Sequence, residues 1–170
     1  MNNLLEIKNL YIEAHYDEKW QPIVHNISLD LKRGEVLGLI GESGAGKSTI
    51  GLAAMGYARQ GCRIASGSIN LDGKELFEAS EEDLRLIRGS KISYVAQSAA
   101  ASFNPAHRVI KQYAEAPVHH GLMNHAKAEK EAIEIYRRLF LPNPEKIGFR
   151  YPHELSGGQL QRAMVAMAMS

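Results

Sequence analysis

One stretch constrains this chain more than any other: Gly41-Glu42-Ser43-Gly44-Ala45-Gly46-Lys47-Ser48-Thr49. It fits G-x-x-x-x-G-K-[ST], a pattern that cradles phosphate. The preceding run Val36-Leu37-Gly38-Leu39-Ile40 is short and continuously apolar, which predicts a buried parallel strand. The following Ile50-Gly51-Leu52-Ala53-Ala54-Met55 can continue as a helix, expected to fade near Gly61. Strand, glycine loop and helix are the context the pattern needs. Glycines open backbone conformations that a Cβ forbids, so successive N–H groups can converge on an anion. The positive end of the helix dipole adds to that field. On this reading Lys47 reaches the β- and γ-phosphates and Ser48 ligates Mg²⁺. Glu42 reads as solvent-facing. The alternative, a glycine-rich turn with a solvated lysine, leaves both flanks unexplained.

A chain of 170 residues is one domain by default and long enough for a sizeable core. A formal charge of +1 suggests no bulk attraction to a polyanion, so nucleic acid is not expected as a partner. The single cysteine, Cys62, rules out an internal disulfide and favours a reducing compartment. No apolar run approaches membrane-spanning length, and Met1 to Ile7 lacks the blocks of a signal peptide.

Leu5–Leu10 and Ile23–Leu31 alternate as strands, with a polar turn over 15–21 between them and a tight turn at Lys32–Glu35. Ile64–Leu71 reads as a strand ending in the hairpin signal Asp72-Gly73. Ser80 is placed to cap a helix to Arg88, with Asp83 three residues on. Ile92–Ala96 reads as a strand ending at Gln97, where ligands gather in open α/β sheets. Helices are expected over Val109–His120, ended or kinked by Pro117, and over Ala126–Leu141. In the latter Ala132, Ile135, Tyr136, Leu139 and Phe140 share a face. His119, His120 and His125 lack metal-ligand spacing. The methionines read as core packing.

Leu155-Ser156-Gly157-Gly158-Gln159 then opens a helix over Leu160–Met169. Ser156 is a good N-cap, and two glycines leave the helix start bare, a second place for an anion. Here the chain resembles the nucleotide-binding domain of ATP-binding cassette (ABC) transporters. Leu155 to Gln159 matches that family's signature motif, Gly41 to Thr49 its Walker A motif, and Gln97 its Q-loop glutamine. Within the family it is most similar to the ATPase subunits of dipeptide, oligopeptide and nickel importers. Arg63–Ile69, Ser102-Phe103-Asn104-Pro105 and Arg150–Glu154 carry that likeness.

The resemblance implies an α/β fold: a P-loop core with an N-terminal antiparallel piece and an inserted helical subdomain. It divides the chain into an ATP-binding β-subdomain and core (1–97), a helical subdomain (98–154) and the signature motif with its helix (155–170). It implies ATP and Mg²⁺ as cofactors, held by Gly41 to Thr49, with Ser48 and Gln97 on the metal and Lys47 and Gln97 serving catalysis. Two copies would pair head to tail, so that Ser156, Gly157, Gly158 and Gln159 of one face the nucleotide of the other. Tyr16 is the candidate to stack on adenine, with Trp20 second. The implied partners are integral membrane permease subunits and a second ATPase subunit, identical or paralogous. The implied location is peripheral, on the cytoplasmic face of the inner membrane. The family's Walker B strand, with its Asp-Glu pair, is not found before Ser170. The chain therefore reads as incomplete at its C-terminus, and these 170 residues alone are expected to hydrolyse ATP negligibly.

Other classes stand beside this one. A soluble ABC-type switch acting on nucleic acid or ribosomes usually carries two cassettes in one chain, and this sequence reads as one, with no basic extension. A P-loop kinase or GTPase is disfavoured by Leu155 to Gln159 and by the lack of Asn-Lys-x-Asp. A remnant that only binds nucleotide is the last alternative.

Overall fold

The computed structural model describes residues 3–170, in two compact units whose boundary falls after Arg85.

The first unit is a four-stranded antiparallel sheet in the order β2-β1-β3-β4. Its strands are β1 (Asn3–Tyr16), β2 (Lys19–Lys32), β3 (Cys62–Leu71) and β4 (Lys74–Glu75). In β1 the buried residues are Leu5, Ile7, Leu10 and Ile12, so the period-two pattern slips by one residue between Ile7 and Leu10. The slip is a bulge: Asn9 takes φ 48°, and its amide donates to Ser28 Oγ at 2.9 Å. The neighbouring strand accommodates it with Gly67. A Cβ there would lie 2.8 Å from the carbonyl oxygens of Lys8 and Asn9. After the bulge the apolar set is again on one face, where Ile12 pairs with Val24 and Ile64.

Asp72-Gly73 closes the β3–β4 hairpin as expected, both residues at positive φ. The first hairpin is tighter than the polar segment 15–21 suggested. Tyr16 already pairs with Lys19, and Asp17 and Glu18 alone make the turn, both left-handed.

The expected strand at Val36–Ile40 does not form. These residues carry no ladder, and Val36 and Ile40 are 95% and 99% exposed. A parallel strand exists only through its neighbours' hydrogen bonds, and none of the described residues supplies them. Ile92–Ala96 fails for the same reason, retaining one bridge between Arg88 and Ile92.

Helix α1 (Lys47–Ala53) ends well before Gly61. Gly56, at φ 65°, turns the chain so closely that a Cβ would meet Leu84 Cδ2 at 2.8 Å. Helix α2 (Glu81–Ile87) starts as predicted: the Asp83 amide donates to Ser80 Oγ, and that hydroxyl donates to the Asp83 carboxylate.

The second unit is helical: α3 (Ala99–Ser102), α4 (Val109–His119), α5 (His125–Arg138), α6 (Pro144–Ile147) and α7 (Gly157–Ala168). Its core joins Phe103, Val109, Tyr113, Ile135, Tyr136 and Leu160. Pro117 does not end α4, which runs on to His119. Phe140 leaves the face assigned to it and is 84% exposed. The cause is a Schellman turn: Phe140, at φ 54°, donates to Arg137 O, and Leu141 donates to Tyr136 O. Gln112 is buried, and its amide ties the Asn104–His107 loop to α4 through Asn104 and the His107 carbonyl.

Candidate functional site

In the first unit the glycine loop hangs between the extended segment and α1. Gly44 and Gly46 lie at φ 87° and 80°, a region that disfavours side chains. Gly46 is constrained twice, since a Cβ would also press on Val24 Cγ2 at 3.1 Å. Gly46 is the N-cap of α1, and its carbonyl accepts from the Ile50 amide at 2.9 Å. Lys47 folds back so that Nζ donates to the carbonyls of Gly41 (2.8 Å) and Glu42 (2.6 Å). The ammonium therefore sits over the mouth of the loop. Ser43, Ser48 and most of the loop are exposed, with Thr49 half-buried. The Lys47 cation, left-handed glycines and the amides of a helix start form a donor set that fits a polyphosphate, and the Ser48 hydroxyl fits a hard cation beside it.

In the second unit the signature stretch divides by burial. Leu155 and Leu160 enter the core, while Ser156, Gly157 and Gly158 are exposed. The cap is reciprocal: Gln159 N donates to Ser156 Oγ at 3.3 Å, and Ser156 N donates to Gln159 Oε1 at 3.0 Å. Upstream, Glu154 caps the short turn Pro152–Glu154 by accepting from the Tyr151 amide at 2.7 Å. The two glycines are informative. A Cβ on either would meet nothing within 4 Å, and neither has positive φ. Glycine inside a helix costs about 1 kcal/mol relative to alanine. Nothing in the packing of the described residues requires it there.

Gln97 is exposed, in the segment before α3. Tyr16 is 65% exposed at the hairpin tip, next to the turn. Trp20 is engaged already: the Arg63 guanidinium lies 4.3 Å over its ring and His15 meets its edge at 5.1 Å. The structure thus groups Gly41 to Thr49 with Tyr16 in the first unit, and Gln97 with Ser156 to Gln159 in the second.

Sequence reasoning missed three residues of α7. Arg162 spans the Gly158 carbonyl (3.3 Å) and the Phe140 carbonyl (2.8 Å), bracing the signature turn against the end of α5. Gln161 and Met164 contact Ala96, the residue before Gln97. Only the single i,i+3 spacing of Gln161 and Met164 was visible in advance.

The fold is that of an ATP-binding cassette. It matches a cassette solved as a dimer in a post-hydrolysis state with ADP and phosphate, at TM-score 0.84 and 24% identity, over 97% of this chain and 68% of the other. The chain belongs to the ABC transporter family, whose model matches residues 24–170. Three relatives narrow the likeness. A probable peptide ABC transporter ATP-binding protein of Sinorhizobium fredii is 36% identical over 98% of this chain and 50% of its own length. An oligopeptide transport ATP-binding protein of Bacillus subtilis is 36% identical over 100% and 52%. A glutathione import ATP-binding protein of Salmonella choleraesuis is 38% identical over 99% and 28%. The chain thus spans about half the length, or less, of these relatives. They bear out the resemblance to peptide-importer ATP-binding subunits read from the sequence.

Proposed function

We propose that this chain is the nucleotide-binding part of an ATPase subunit that powers import, of peptides or of nickel, through an ABC transporter. The observation that carries the reading is the start of α7. Two glycines sit in a helix with open space at both Cβ positions, so the clearance serves something that arrives from outside. A capped helix start with uncovered amides suits an anion. The glycine loop around Lys47 of a second copy suits another part of the same anion.

Bound Mg–ATP would supply the phosphoanhydride whose cleavage drives the cycle. Gly41 to Thr49 hold its phosphates, Lys47 neutralises their charge, and Ser48 holds the metal. Gln97 would help hold the metal and the attacking water, and Tyr16 would stack on the base. Ser156 to Gln159 of a second copy, or of a paralogue, close the site from the far side. The names of the relatives, all peptide or glutathione transport ATP-binding proteins, support permease subunits as the other partners. On this reading the chain works peripherally, on the cytoplasmic face of the inner membrane. No helix of the described residues is long and apolar enough to cross a membrane.

The test is calorimetric titration of ATP with Mg²⁺. The chain binds ATP, Lys47→Ala loses at least tenfold in affinity, and Gly158→Ala loses little. Equal weakening by both variants would contradict the division of roles.

A further inference from the structure

Ala96 is gripped at both of its main-chain polar groups by one helix. Its amide donates to Met164 Sδ at 3.2 Å, and its carbonyl accepts from Gln161 Nε2 at 3.2 Å. Gln161 and Met164 stand three residues apart on α7 and so share a face. Met164 is buried in the core of the second unit. Residues 93–97 form no strand, so this grip replaces a ladder. The Ala96 carbonyl lies in the same peptide plane as the Gln97 amide. Fixing that plane fixes the position of the Gln97 Cα, and leaves rotation about the Gln97 N–Cα bond as the main-chain freedom that aims the exposed side chain.

We infer that Gln161 and Met164 are positioning residues for Gln97: the helix that offers Ser156 to a partner's nucleotide also anchors the main chain from which the metal-binding glutamine extends. The inference rests on the roles proposed above for Gln97 and Ser156. It makes α7 a link between two half-sites that belong to different nucleotides in a head-to-tail pair.

Three variants separate positioning from packing. Gln161→Glu keeps the shape but replaces the donor with a repelling oxygen. Gln161→Lys restores an N–H donor. Met164→Leu keeps the volume and removes the sulfur acceptor. Two readouts apply to the full chain: amide exchange at residues 93–98, and the gain in ATP affinity on adding Mg²⁺. In Gln161→Glu, exchange at 93–98 should quicken about tenfold while α7 amides keep their rates, an opening of ~1.4 kcal/mol. The Mg²⁺-dependent gain should fall to the level of Gln97→Ala. Met164→Leu should move both readouts the same way by a smaller factor, and Gln161→Lys should stay within about twofold of the unaltered chain. Unchanged exchange in Gln161→Glu, or faster exchange with the Mg²⁺ gain intact, overturns the inference. If the unaltered chain shows no Mg²⁺-dependent binding, the proposed function fails instead, and exchange still decides whether α7 holds this segment.

Discussion

Ser156 and Gln159 cap one another: each side chain accepts a hydrogen bond from the other's backbone amide, at 3.3 and 3.0 Å. The reciprocity lets two functions of Ser156, capping and nucleotide contact, be separated. Aspartate caps a helix as well as serine does and favours the positive dipole end. Ser156→Asp should therefore keep folding stability within about 0.5 kcal/mol of the unaltered chain, whereas Ser156→Ala should lose ~1 kcal/mol. The aspartate nevertheless places a carboxylate where the proposed triphosphate arrives. ATP-driven association, followed by sedimentation velocity, should vanish in Ser156→Asp and survive in weakened form in Ser156→Ala.

Gly158 offers the converse case. Alanine there meets open space and gains helix propensity, so Gly158→Ala should raise stability by about 0.5–1 kcal/mol in urea melts. The same methyl intrudes on the approach to the helix amides, and ATP-driven association should fall more than tenfold. A variant both more stable and associating normally would show that the clearance has no user.

Among the described residues the half-buried Lys47 side chain bonds only to loop carbonyls. Lys47→Ala should shift the urea midpoint little, within about 0.5 kcal/mol of stability. Its effect should appear in the affinity for ATP.

Alkaline pH tests the second unit. Tyr113 and Tyr136 meet edge to face at 5.9 Å, and neither buried hydroxyl has a hydrogen-bond partner among the described residues. Burial holds both phenols protonated well above their ordinary range, with Glu131 adding to the effect at Tyr113 and Tyr113 adding to it at Tyr136. Their folded pKa values are thus raised. Their contribution to stability is complete below the unfolded pKa near 10 and is lost as pH rises beyond it. Melting temperature should decline above about pH 10, and Tyr113→Phe with Tyr136→Phe should flatten the decline. Because each change removes an unpaired buried hydroxyl, neutral-pH stability should hold or rise by ~1 kcal/mol.

The extended segment and the sheet should respond very differently to the same substitution. Ile40 is 99% exposed and Ile69 is fully buried. Ile40→Ala should change stability by less than about 0.5 kcal/mol, and Ile69→Ala should cost about 2–5 kcal/mol. Comparable losses would mean that Val36–Ile40 is packed as a strand in solution.

That contrast also marks where sequence ceased to be a guide. Alternation revealed β1, β2 and β3, because a sheet with one buried face writes its period into the chain. The glycine loop and the signature stretch were legible because their chemistry demands particular residues at fixed offsets. Val36–Ile40 and Ile92–Ala96 misled because an apolar run records a preference for burial and says nothing of which strand supplies the partner bonds. Phe140 continued the 3.6-residue period of α5, but the Schellman turn had already ended the helix. The Asn9 bulge and the need for Gly67 opposite it come from a pairing of residues far apart in sequence. So does the hold of Gln161 and Met164 on Ala96.

The central claim is that one copy's glycine loop and another's signature helix grip the same nucleotide, and mixing two defective variants tests it most directly. Lys47→Ala and Gly158→Ala should each fail to associate on adding Mg–ATP. In a head-to-tail mixed pair, one site collects both defects and the other collects none. The mixture should therefore recover association through a single intact site, seen as a dimer peak in sedimentation that neither variant shows alone. Two folded variants that remain monomeric when mixed, while the unaltered chain dimerises, would contradict the account.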